Sequence, residues 1–270
     1  AIRDDLATDA PRSAVGLLAH ALARRHAGAM PPLTILSCDN LSGNGRLLRG
    51  AVRAFLDAAA LPATALQGAR FPDSMVDRIT PATTTETAAL MAATAGRPVD
   101  APVLTESFTE WIIEDAAAGP LPDWAAAGAR IVRDVAPFER RKLLLLNGAH
   151  SMLAYGGLLG GHTFVHEAIA DPARRAQARA LWSEAASLLP EFGDAERAAY
   201  QDALVARFSV EGMAHRLDQI AQDGSAKLAQ RVLPVLRHHR FDSPAASRTL
   251  AQWWRVLERR AQGGRSLDDP

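Results

Sequence analysis

Residues 138–161 read FERRKLLLLNGAHSMLAYGGLLGG, and the fold of the chain turns on them. The apolar period and the length suit a helix rather than a strand. Lys142, Asn147 and His150 interrupt the apolar run. On an ideal α-helix, at about 100° per residue, these three fall within an arc of about 140°. A lysine buried on such a helix is costly to keep charged, which draws its pKa toward neutrality and suits it to proton transfer. An amide can donate to a developing alkoxide, and an imidazole can orient a hydroxyl or the lysine. The same spacing also describes a helix whose polar residues face solvent around Leu143 to Leu146. By spacing alone that second reading is favoured, because charged and amide side chains are mostly exposed.

Downstream of this stretch the helical period continues. ARRAQARALWSEAASLL, DAERAAYQDALVARF, MAHRLDQIAQDGSAKLAQRVLPVLRHH and SRTLAQWWRVLERRAQ all suit helices. Upstream the pattern differs. SAVGLLAHALARRHAGAM is an amphipathic helix, PPLTILSCDN holds a short β-branched strand, and GRLLRGAVRAFLDAAA is a second helix. The alternation recurs more loosely through MVDRITP and ETAALMAATAG to a strand expected at APVLTES. Residues 1–135 therefore read as an α/β domain and residues 136–270 as an all-α domain.

Thirty basic and thirty acidic side chains cancel over 270 residues, and neither sign forms a long block. That removes the electrostatic footprint expected of a nucleic-acid or anionic-membrane partner and leaves a small molecule as the expected ligand. The single cysteine, Cys38, builds no disulfide framework and no thiolate metal site by itself, which fits a reducing cytoplasm. No apolar run approaches the roughly 18 residues of a membrane span.

Three further polar groupings stand out. SCDN ends a strand, where open α/β sheets bind ligands, so Asn40 is placed to donate to a substrate oxygen; a plain turn accounts for it equally. FPDSMVDRITPATTTE carries Asp77 and Arg78 side by side, which a surface ion pair would explain. In HRLDQIAQDGSAK, Gln219, Asp223 and Lys227 recur every four residues, the pattern of a solvated helix face. Two strings are decoys. GNGRLLRG places Gly43, Gly45 and Gly50 after a strand, but the third glycine is misplaced for a dinucleotide fingerprint. His162 and His166 are four apart, as zinc ligands on one helix would be, yet no third ligand stands at motif spacing, and no metal is expected.

Six strings in order, SAVGLLAHAL, LTILSCDNLSGNG, FPDSMVDRITPATT, TESFTEWIIED, DVAPFERRKLLLLNGAHSMLAYGGLLGG and QIAQDGSAKLAQR, resemble the mannitol dehydrogenase family of long-chain, polyol-specific dehydrogenases. HRLDQIAQDGSAKLAQR looks most like the fructuronate reductase, or D-mannonate oxidoreductase, branch. The chain departs from the family pattern at RFSVEG, residues 207–212, where Asn-Pro usually follows the Arg-Phe pair, and at Ser107, where proline is usual.

The resemblance implies that Lys142 is the general base, that Asn40 and Asn147 form an oxyanion hole, and that His150 orients the substrate hydroxyl. Asn40, Val76 and Asp77 would border the cofactor, while Asp77, Gln219 and Lys227 would contact substrate. It implies NAD, with NADP left open, a sugar alcohol or sugar acid as substrate, a metal-independent hydride transfer, and a monomer or weak oligomer. The implied fold is an α/β remainder of a Rossmann-like nucleotide-binding domain followed by a mainly α-helical C-terminal domain. The family's glycine-rich first unit stands upstream of SAVGLLAHAL. The expectation is thus a first domain without that half and a second domain incomplete at its C-terminus. Mannitol or arabinitol 2-dehydrogenation and a shortened, non-catalytic sugar-acid binder are the alternative functions.

Overall fold

The computed structural model describes residues 2–8 and 10–263. In chain order the first elements are α1 (Ile2–Asp5), α2 (Ala14–Ala27), β1 (Leu33–Thr34), α3 (Asn44–Ala58), β2 (Ala69–Arg70) and β3 (Ser74–Asp77). Then come α4 (Thr85–Ala95), β4 (Glu110–Glu114), β5 (Arg130–Val132) and α5 (Ala136–Arg141), which passes into a π-helical turn over Lys142–Asn147. The remainder is helical: α6 (Gly148–Leu159), α7 (Val165–Ala170), α8 (Pro172–Ala185), α9 (Asp194–Phe208), α10 (Leu217–Ile220), α11 (Gly224–Arg231), α12 (Leu233–His238) and α13 (Pro244–Gln262).

These elements group into two compact units, Ala1–Asp77 with Thr109–Glu139, and Arg78–Phe108 with Arg140–Pro270. The chain crosses between them three times, where the sequence suggests one boundary after residue 135. In the first unit β1 pairs parallel with β2 and β3–β4–β5 form a second small sheet, β3 antiparallel and β5 parallel to β4. Parallel β1 and β2 need a crossover, and α3 supplies it. Leu22, Val52, Phe55 and Leu56 from α2 and α3 bury against Ile35, Leu66 and Phe71, while Met75, Ile112 and Val135 make a second core under the other sheet.

The strand expected at APVLTES does not form. Pro102 lacks a ladder donor, and the chain pairs instead at Glu110–Glu114, whose Ile112 and Ile113 are fully buried. Two glycines of GNGRLLRG are required by the backbone, Gly43 and Gly45. Gly43 opens α3 at φ +65°, and a Cβ on Gly45 would lie 2.4 Å from the carbonyl oxygens of Phe71 and Pro72.

A buried polar knot fixes the loop after β1. The Asn44 side-chain amide donates to the carbonyls of Ser37 (2.9 Å), Asp39 (3.0 Å) and Ser74 (2.8 Å), and its oxygen accepts from the Ser74 N–H (2.9 Å). The Ser74 hydroxyl also donates to Ser37 O at 2.5 Å. One amide thus satisfies four backbone groups that burial would otherwise leave costly.

In the second unit α6 is apolar on every side, the composition of a helix enclosed by others. It packs against α7, α8, α10, α11 and α13. Its own Met152, Leu153 and Tyr155 are fully buried, as are Leu145, Leu181 and Trp182. The stretch 213–239, expected to be one helix, is broken into α10, α11 and α12. Asp223 turns left-handed at φ +52°, and Gly224 follows because a Cβ there would lie 2.4 Å from the Trp253 indole nitrogen and 2.7 Å from the Tyr155 hydroxyl. Gln219 and Lys227 therefore stand on different helices, not on one solvated face. Among the described residues no helix is long and apolar enough to cross a membrane.

Candidate active site

Four leucines between Lys142 and Asn147 leave this turn nothing to gain from solvent, so it is drawn into the helical core. There it widens. The Gly148 N–H reaches Leu143 O, the i→i+5 bond of a π turn. The Trp182 indole N–H donates to Leu145 O at 2.8 Å, so a carbonyl of the π segment gains a side-chain donor. The wider turn has a consequence for spacing. Lys142 and Asn147, the pair farthest apart on an ideal α-helix, are five residues apart and come toward one face of an i→i+5 helix.

Lys142 is 8% exposed, Asn147 8% and His150 7%. The helix does not present them to water. Ser151, the next residue, is wholly buried and accepts from the Arg231 guanidinium at 3.2 Å. The His150 ring packs on Phe208 with centroids 4.6 Å apart and meets the edge of His215 at 5.3 Å. Its Nε2 is buried without a hydrogen-bond partner among the described residues. Burial holds the His150 pKa well below the ordinary value, and His215, Arg231, Arg207 and Lys142 push it the same way. His150 is therefore a neutral imidazole with one ring nitrogen unmatched. The His215 pKa is lowered by burial as well. Burial pushes Arg231 down to about 10, which leaves it a cation at neutral pH.

Arg207 and Glu106 complete this region. The guanidinium donates to both Glu106 oxygens, at 3.0 and 2.7 Å, and stacks 4.0 Å from the Phe108 ring. Glu106 also accepts from the Ile79 N–H at 2.6 Å. The pair is buried on both sides. Glu106 lies in TESFTEWIIED and Arg207 in RFSVEG, and neither string marks its residue for a role. Two residues 101 positions apart carry no mutual signal in a single sequence.

The other expected site residues are placed as follows. Asn40 is exposed on the bend after β1, Val76 is half-buried in β3, and Asp77, at the end of β3, is 2% exposed. Gln219 is exposed on α10. The Lys227 ammonium is engaged by the turn before its own helix, donating to Ile220 O (3.2 Å) and Gln222 O (2.6 Å) with Asp223 at 3.7 Å. The structure thus brings Lys142, Asn147 and His150 together on one helical segment; Asn40, Val76 and Asp77 belong to the other unit. His162 and His166 do not share a helix. His162 precedes α7 and meets Asp171 at 3.3 Å, whereas His166 stacks on Phe164. Among the described residues no three His, Cys, Asp or Glu side chains come together as a metal-ligand set.

The first unit is a small α/β unit with a parallel strand pair, and the second is helical and buries a lysine, an amide and a neutral imidazole on one π-to-α segment. Residues 6–126 match the mannitol dehydrogenase Rossmann domain, and residues 134–268 match the mannitol dehydrogenase C-terminal domain. The chain belongs to the mannitol dehydrogenase family.

It is 39% identical over 268 residues to D-mannonate oxidoreductase of Escherichia coli, covering 96% of this chain and 54% of that protein. Among solved structures it is similar to D-sorbitol dehydrogenase in substrate-free form, with a TM-score of 0.85 and 30% identity. It is also similar to Pseudomonas fluorescens mannitol 2-dehydrogenase in ternary complex with NAD and D-mannitol, with a TM-score of 0.81 and 34% identity. Each of these two covers 95% of this chain and 54% of the other. The chain spans about half the length of the curated relatives it matches.

Proposed function

We propose that this chain carries the proton-transfer half of an NAD-dependent oxidoreductase. The reaction interconverts a secondary alcohol of a sugar acid or sugar alcohol with the corresponding ketone, D-mannonate and D-fructuronate being the favoured pair. The observation that carries the reading is the burial of Lys142, Asn147 and His150 on one π-to-α segment of a family member's helical unit.

The chemistry follows from their types. In the oxidising direction Lys142 takes the hydroxyl proton as the carbon–hydrogen bond breaks. The Asn147 amide donates to the oxygen as it gains negative charge. Neutral His150 has an unmatched Nε2, which a sugar hydroxyl satisfies, and its packing between Phe208 and His215 fixes the ring plane. NAD, when bound, supplies the hydride acceptor. Residues of the first unit suit such a group: Asn40 is exposed after the carboxyl end of a parallel strand, where open α/β sheets hold nucleotides. The roles of Asn40, Val76 and Asp77 at the cofactor, and of Asp77, Gln219 and Lys227 at the substrate, rest on the family resemblance.

The test is a substrate profile. The full chain, supplied with NAD or NADP, is assayed on D-mannonate, D-mannitol and D-arabinitol, with Lys142→Ala as the control. Oxidation of D-mannonate in preference to the two polyols is expected. Preference for D-mannitol or D-arabinitol would move the assignment to a polyol 2-dehydrogenase, and unchanged turnover in the lysine variant would remove Lys142 as the base.

A further inference from the structure

Away from this helical segment's polar groups, the second unit holds a basic cleft of ≈ 490 Å³. Arg248, Arg255 and Arg259 line it from α13, Arg174 from α8, and Gly156 and Gly160 from the end of α6. The three α13 arginines are seven and eleven residues apart from the first, which on a helix places them within an arc of about 40°. Two of them stand four apart, a like-charge spacing that disfavours the helix unless an anion answers it.

No carboxylate does so for these three. Among the described residues no ion pair involves Arg248, Arg255 or Arg259, and Arg259 donates only to the Leu159 carbonyl, at 3.3 Å. Arg174 has one carboxylate near it, Asp171 at 3.7 Å, which His162 shares. Its Nε is buried with no hydrogen-bond partner. The floor is ordered: the Gln177 and Gln252 amides exchange hydrogen bonds at 2.7 and 3.1 Å, and Arg174 donates to Gln177 at 3.2 Å. Gly156 keeps the space open, since a Cβ there would meet Arg174 and Gln252 at 3.1–3.3 Å.

We propose that this cleft binds a phosphorylated small molecule, at a site separate from the proton-transfer helix face. Guanidinium forks match phosphate oxygens in pairs. Four of them around a cleft far larger than one phosphate suit a phosphate attached to an organic body. The inference does not depend on the substrate proposed above.

Inorganic pyrophosphate is the probe, titrated calorimetrically into the full chain with NADH at saturation, so that a nucleotide site is already filled. Binding at one site is expected. Arg255→Gln, an exposed position, should weaken it about tenfold, and the triple variant Arg248→Gln/Arg255→Gln/Arg259→Gln should abolish it while NADH affinity stays unchanged. No heat of binding under NADH, or pyrophosphate affinity unchanged in Arg255→Gln, overturns the proposal. The single variant keeps the test decisive if the triple variant does not fold.

Discussion

Two buried polar groups, Asn44 in the α/β unit and His150 in the helical unit, are treated in opposite ways. In the α/β unit the Asn44 knot is closed: its amide and the Ser74 hydroxyl satisfy one another's surroundings at 2.5–3.0 Å, and the result is a fixed loop. In the helical unit the network around His150 is left open. The segment from Lys142 to His150 buries a lysine, an amide and a neutral imidazole, and the imidazole keeps an unmatched nitrogen. Satisfied networks are scaffold, because nothing in them remains to bind a ligand. An orphaned polar atom in a well-packed core costs stability and calls for another explanation, of which a ligand is the most direct.

The sharpest way to break this contrast is Lys142→Ala. If the open face is the reactive one, turnover falls by about 10²–10⁴ with little change in the melting temperature, measured by steady-state rates and circular dichroism. Equal losses of turnover and stability would make Lys142 scaffold.

Glu106→Ala comes next and tests whether the helical unit has closed networks of its own. Removing one partner of a buried ion pair strands the Arg207 charge and should cost about 3–5 kcal/mol in urea unfolding. A cost under 1 kcal/mol would show that Arg207 finds another partner. Asn44→Ala should cost about 2–3 kcal/mol by leaving buried backbone groups unmatched. Hydrogen exchange should report that loss in residues 37–40 and 74, not in α6. Protection lost equally in both units would refute the separation of the two networks.

The smallest effect is in pH. His150 and His215 both have folded pKa values below the ordinary imidazole value. The unfolded chain therefore binds more protons than the folded one as pH falls through about 6.5, so stability is full above that value and declines below it. Melting temperatures from pH 5 to 8 should show this, with a shallower decline in His150→Gln. An identical slope in the variant would place the titration elsewhere.

Much of the architecture was legible in the sequence, because helices 14–27, 44–58, 194–208 and 244–262 advertise themselves by local period. Short elements were less so. Two-residue strands such as β1 have no period to read, and the break at Asp223 depends on Tyr155 and Trp253, far away in the chain. Lys142, Asn147 and His150 were legible as residues but not as a buried face. The Glu106–Arg207 pair and the Asn44 knot were not legible as contacts.

The amino-acid sequence by itself determined the longer helices, the α/β-then-α class and, through its ordered motifs, the family. Tertiary structure decided whether the lysine helix faces water or core, and it decided the π register. A turn closed at i+5 rather than i+4 takes in one more residue per hydrogen bond. Here it goes with an indole from another helix donating to Leu145 O and with surrounding helices that keep the segment from solvent. No local pattern encodes that arrangement, because the partners that stabilise it lie tens of residues away.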